Sequence, residues 1–141
     1  MKRMKLVPEE VTRIIVTATM NLPDEDPISE LLIEHCEGFV EDLGCHYILM
    51  RNGTVHKPVA DDERGNWFAR FSPISVVVVI EGGLNSKGNP ENNYSHQQLK
   101  SLKKVVVELQ DKYPVAEVTM HREIFYGANP VITKEEILDE N

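Results

Sequence analysis

The sequence predicts one α/β domain of the α+β type over residues 1–141, a central mixed β-sheet flanked by helices. The first observation is the run Pro73-Ile-Ser-Val-Val-Val-Val-Ile-Glu81, six β-branched apolar residues broken only by Ser75. Such a run suits a strand covered on both faces, at the centre of a sheet. The second is the stretch 11–19, Val-Thr-Arg-Ile-Ile-Val-Thr-Ala-Thr, β-branched enough for another strand. The third is a pair of apolar repeats at helical spacing, over 27–43 and 95–112, alternating with the strands.

In chain order, Asn21-Leu-Pro-Asp-Glu-Asp-Pro27 breaks the first strand. Asp26 can cap a helix with Pro27 in its first turn, and Ile28, Leu31, Leu32, Cys36, Phe39, Val40 and Leu43 form its apolar stripe as far as Gly44. A strand over 45–50 follows, and Asn52-Gly53 marks a hairpin turn into Val55. The polar stretch 60–66 reads as a surface loop. Gly82 and Gly83 end the central strand, where residues without Cβ let the backbone turn sharply or approach a ligand. Ser95 and Gln98 offer a capping box, and Leu99, Leu102, Val105, Val106 and Leu109 the buried face of a second long helix, which Lys112-Tyr-Pro114 stops. A short strand is predicted over 115–120, and Thr133 with Glu136 opens a short acidic terminal helix over 134–140.

The length of 141 residues is enough for a core without disulfide support. A formal net charge of −8 repels a phosphate backbone, and Lys100, Lys103 and Lys104 form only a small basic cluster, so nucleic acid is not an expected partner. No apolar stretch has membrane length and none follows the basic start, so neither a membrane span nor a secretory signal is expected, and the expected location is cytoplasmic. Cys36 and Cys45 read as reduced thiols.

Several motifs occur in one unbroken order over about 13–130: Gly44-Cys-His-Tyr-Ile-Leu-Met-Arg-Asn-Gly-Thr-Val55, Ser75 through Gly83, Lys87-Gly88, Asn93-Tyr94, Leu99 to Tyr113, and His121-Arg-Glu123. Together they resemble the zinc N-acetylmuramoyl-L-alanine amidases, the group of phage lysozymes and peptidoglycan-recognition proteins. The resemblance implies a mixed sheet with helices on both faces, a zinc cleft at one edge, and cleavage of the amide between muramic acid and its peptide stem. It also implies zinc held by two histidines and a cysteine or aspartate, with a fourth position for the attacking water.

Carried over residue by residue, those ligand positions fall at Thr17, His121 and Asn129. The family's assisting tyrosine falls at Cys45, its lysine at Gly127, and a further cleft histidine near Trp67 or Phe68. Threonine and asparagine offer no soft or anionic donor, so the resemblance implies a degenerate member without resident zinc and without catalytic residues.

The expected function is that of a catalytically inactive pseudo-amidase of phage or prophage ancestry. It would bind through the former cleft, formed by Thr17, Cys45, Trp67, Phe68, Phe71, His121 and Asn129, or through a nearby face. Its partner would be a small ligand, either a peptidoglycan fragment or a signalling molecule, or else a protein. Within the family, a phage lysozyme restrains its own RNA polymerase, and non-catalytic recognition proteins bind without zinc. Two alternatives stay open: a zinc amidase with atypical ligands, and a regulatory protein with a plugged cleft that restrains a polymerase or sequesters a host signal. Cys45 beside His121 invites a thiolate–imidazole pair, against the plainer reading of a small residue filling a lost tyrosine's space. Trp67, Phe68 and Phe71 can stack on a ligand or close over the old metal site.

Overall fold

The computed structural model describes residues 3–30 and 43–138. Five strands form one mixed sheet: β1 (Arg13–Ala18), β2 (Tyr47–Leu49), β3 (Val55–His56), β4 (Ser75–Ile80) and β5 (Glu117–Met120), in the order β3-β2-β4-β1-β5. β2, β4, β1 and β5 run parallel, and β3 turns back antiparallel to β2 through the Asn52-Gly53 turn. β4 lies between β2 and β1, and all six of its residues are buried. Ser75, the one polar residue of that strand, is satisfied by donating its hydroxyl to the Phe71 carbonyl at 2.6 Å.

Alternation along the strands divides the core into two layers. Ile14, Val16 and Ala18 share one face with Val76, Val78 and Ile80, against Leu102, Val106 and Leu109 of helix α1 (His96–Lys112). Ile15 points the other way, among Cys45, Ile48, Val77 and Val79, with Trp67, Phe68 and Phe71 packed on them. Each fully buried Val, Leu or Ile contributes about 1.5–3 kcal/mol, so these two layers hold the sheet rather than its surface ion pairs.

The capping box of α1 does more than close the helix. Ser95 N–H donates to Gln98 Oε1 at 2.8 Å and Gln98 N–H to Ser95 Oγ at 3.1 Å. The buried Gln98 amide then donates to the carbonyls of Leu49 and Glu81, both at 2.8 Å, tying the helix start to the ends of β2 and β4.

The helix predicted over 27–43 opens as expected: 27–30 is helical, and the Asp26 carboxylate accepts from the Ser29 backbone and hydroxyl at 3.3 and 2.9 Å. The remainder, with Cys36, lies outside the described residues. The first strand is shorter than the predicted 11–19, because a 3-10 turn at Pro8–Glu10 precedes it and the Thr19 hydroxyl turns aside to accept from Gly82 N–H. The last strand begins at Glu117 instead of 115, with Val115 exposed. The terminal helix is α3 (Lys134–Leu138), capped by Thr133 Oγ1 accepting from Glu136 N–H; 139–141 lie outside the described residues.

The stretch 60–66 is not simply a surface loop. Its backbone pairs with the N-terminal segment, Leu6 N–H to Asp62 O and Arg64 N–H to Met4 O, both 2.8 Å, and buried Gly65 packs so closely that a Cβ would collide with the Gly44 carbonyl. No helix among the described residues is long and apolar enough to cross a membrane.

Candidate functional site

Thr17 shares the parity of Ile15 and so projects from β1 onto the layer that holds Cys45 and the aromatic rings. β5 ends at Met120, and His121 follows as the first residue of a short helix, α2 (His121–Ile124). The chain then returns so that Asn129 reaches β1, supported by Arg122 N–H donating to the Asn129 carbonyl at 2.7 Å. These three side chains meet. Thr17 Oγ1 lies 2.6 Å from His121 Nδ1, and its hydroxyl is 3.5 Å from Asn129 Oδ1. Asn129 pairs with the end of β1 like a further strand, Oδ1 accepting from Ala18 N–H at 2.6 Å and Nδ2 donating to the Ala18 carbonyl at 2.9 Å.

Aromatic rings close on the imidazole. Phe68 meets His121 edge-on at 5.4 Å between centroids, and Phe125 stands 4.9 Å from it. Phe68 and Phe125 pack on each other at 5.4 Å, and Phe71 completes the cluster 6.3 Å from Phe125. This burial pushes the His121 pKa below the ordinary histidine value, favouring the neutral ring. Trp67 is half-buried, packed on the Cys45 layer with its backbone N–H donating to the Gly44 carbonyl at 3.1 Å.

Cys45 has no exposed surface, and burial pushes its thiol up to about 12. Nucleophilic chemistry needs the thiolate, and no hydrogen bond joins Cys45 to His121 among the described residues, so the imagined thiolate–imidazole pair does not form. Gly127 occupies an exposed turn at φ +115°, with no neighbour where a side chain would start.

A zinc ion does not fit the donors present. Tetrahedral ligands about 2.1 Å from zinc stand about 3.4 Å apart. The Thr17 and His121 donor atoms are 2.6 Å apart, and both ends of the Asn129 amide are already engaged by Ala18. Among the described residues no three His, Cys, Asp or Glu side chains group to hold a metal.

Two residues escaped the sequence reading. Phe125 stands four positions after His121, and that spacing on a helical turn is the signal that places both rings together. His46 is fully buried in the apolar run 45–50. Its Nδ1 accepts from Val77 N–H at 3.0 Å and its Nε2–H donates to the Glu63 carbonyl at 2.7 Å, which assigns the neutral Nε2–H tautomer. Burial lowers its pKa as well.

No protein-family model matches the chain. Among solved structures, the N-acetylmuramoyl-L-alanine amidase LysC from Clostridium intestinale superposes with a TM-score of 0.65 at 15% identity, covering 92% of this chain and 85% of that one. Peptidoglycan recognition protein LE, solved in complex with tracheal cytotoxin, gives a TM-score of 0.65 at 11% identity over 92% and 79%. The fold is therefore that of the amidases and peptidoglycan-recognition proteins. The endolysin of Klebsiella phage KP32 is 31% identical over 123 residues, 86% of this chain and 82% of that one. The match to the endolysin of Enterobacteria phage K11, 37% identical over 89 residues, covers 63% of this chain and 59% of that one, less than two thirds of its length. The chain belongs to the phage endolysin family.

Proposed function

We propose that this chain is a non-hydrolytic member of the endolysin family, without resident zinc, that acts by binding a peptidoglycan fragment over the former amidase cleft. The observation that carries this reading is the closed Thr17–His121–Asn129 set, whose hydrogen bonds occupy the groups a metal would need. Without a metal, nothing at this corner lowers the pKa of a water or polarises the amide. The neighbouring surface suits binding. Phe125 is 42% exposed at the rim of the ring cluster over His121, and Tyr126, the next residue, is fully exposed. Such faces stack on the apolar faces of sugars and on peptide side chains. The structural neighbour solved with tracheal cytotoxin, a monomeric diaminopimelic acid-type peptidoglycan, motivates the choice of ligand.

Calorimetry with soluble muropeptides tests the reading. Wild type is expected to bind them and to release no peptide from peptidoglycan, with or without added zinc. The pair Phe125→Ala and Tyr126→Ala is expected to weaken binding about tenfold, since each ring contributes about 0.5–1.5 kcal/mol. Zinc-dependent, chelator-sensitive amide cleavage by wild type would revive the amidase with atypical ligands. Absent muropeptide binding would leave a protein partner as the reading.

A further inference from the structure

A second polar site lies at the carboxyl ends of β1, β2 and β4 and shares no lining residue with the Thr17 corner. A cavity of about 490 Å³ opens there, lined by Arg51, Asn85, Ser86, Lys87, Glu91 and Asn93. Parallel sheets commonly take ligands at this end, where loops leave the strands.

Arg51 follows β2, and its backbone N–H donates to Glu81 Oε1 at 3.1 Å. Its guanidinium lies against Gly82, where a Cβ would stand 3.0 Å from Nη2 and 3.2 Å from Nε. Nη1 reaches the Pro23 carbonyl at 3.4 Å. Nε and Nη2, which together form one side edge of the fork, are buried and meet no acceptor among the described residues. Arg51 makes no ion pair among the described residues. A buried charged donor without an acceptor is destabilising, and two parallel N–H groups match the two oxygens of a carboxylate or phosphate.

The facing loop is tightly built. Asn93 accepts from Gly83 N–H at 3.0 Å and donates to the Leu84 carbonyl at 2.7 Å. Asn85 Oδ1 accepts from the backbones of Lys87 and Asn89 at 3.0 and 3.1 Å. These bonds hold exposed Lys87 on the cavity wall, so two cations oppose the single carboxylate of Glu91 in a chain of net charge −8.

We propose that this cavity binds a small ligand bearing an oxyanion, a carboxylate or a phosphate, with the Nε–Nη2 edge of Arg51 as its anchor and Lys87 as a second charge. The edge rests just behind the cavity wall and turns to the ligand by a swing of the guanidinium. This site is independent of muropeptide binding at the Thr17 corner, and either can fail alone.

Nitrogen–proton correlation NMR of the full chain reads the Arg51 Nε–H directly. Titrations with sodium phosphate and, separately, sodium acetate, at constant ionic strength, are expected to shift that resonance and the Gly82 and Gly83 amides saturably in at least one series. The anion that does so identifies the ligand class. Arg51→Gln is expected to weaken binding about tenfold or more, and Lys87→Gln about twofold to threefold. Lys87 is on the surface, so its variant serves even if Arg51→Gln fails to fold. No saturable shift beyond that of sodium chloride in either series, or unchanged affinity in the folded variants, overturns the proposal.

Discussion

The Thr17 corner and the Arg51 corner sit at the same end of one sheet and treat their polar groups in opposite ways. At the first, a hydroxyl, an imidazole and an amide satisfy one another and the end of β1. At the second, a guanidinium edge is buried with no acceptor among the described residues, while Asn93 braces the loop around it. The contrast teaches that a cluster of polar groups at a strand end need not leave a hole: short polar side chains and nearby rings close the first corner from within. A buried guanidinium edge has no such remedy, because its best complement is an anion and Arg51 forms no ion pair among the described residues.

The largest expected effect comes from reopening the closed corner. Thr17→His with Asn129→Cys creates a His-His-Cys set around His121, and zinc at a thousandfold excess over its Kd would add about 4 kcal/mol of stability. Scanning calorimetry is expected to show the double mutant melting higher with zinc, and wild type unmoved. A folded double mutant indifferent to zinc would mean that Phe68 and Phe125 do not yield the space.

Next in size is the frame behind the Arg51 corner. Gln98→Leu leaves Ser95 N–H and the carbonyls of Leu49 and Glu81 short of a partner, at a cost of about 2–4 kcal/mol by urea denaturation. Asn129→Ala releases the two groups of Ala18 at a half-open edge and is expected to cost about 1–2 kcal/mol. If the Asn129 change proves the costlier, the Thr17 corner is the sturdier of the two.

Acidification is expected to act least and most gradually. Burial lowers the pKa of both His46 and His121 in the folded protein. An unfolded chain takes up protons on these rings near its ordinary value of about 6.5, before the folded chain does, so stability is full above that pH and declines as pH falls through the lowered folded values. Urea midpoints at about pH 7.5 and about pH 5.5 are expected to show this fall. His121→Gln should reduce it without abolishing it, because protonating His46 still breaks the bond from Val77 N–H.

How much could be read beforehand depended on whether the information was local. The Val-rich β4, the Asn52-Gly53 turn and the Ser95–Gln98 box are periodicity and turn chemistry, and each lies where those patterns place it. Thr17 and Asn129 carry no chemical signature alone; only the resemblance made them candidates, and the structure brings them together across 112 positions of sequence. The pairing of 60–66 with the N-terminal segment was invisible, because polar composition says nothing about which backbone groups find each other. Arg51 read only as one residue of a hairpin, since its isolation depends on Gly82 from another strand's end.

The Gln98 clasp has one more consequence, for how the molecule breathes. A single side chain joins the first turn of α1 to strand ends 49 and 17 positions away in sequence. Fraying of that helix turn therefore cannot proceed alone; it must release both carbonyls together. Amide hydrogen exchange should accordingly find Gln98 and Glu81, whose own N–H donates to Leu49 O at 3.0 Å, opening as one cooperative unit with a shared free energy, while the distal turn of α1 exchanges on its own schedule.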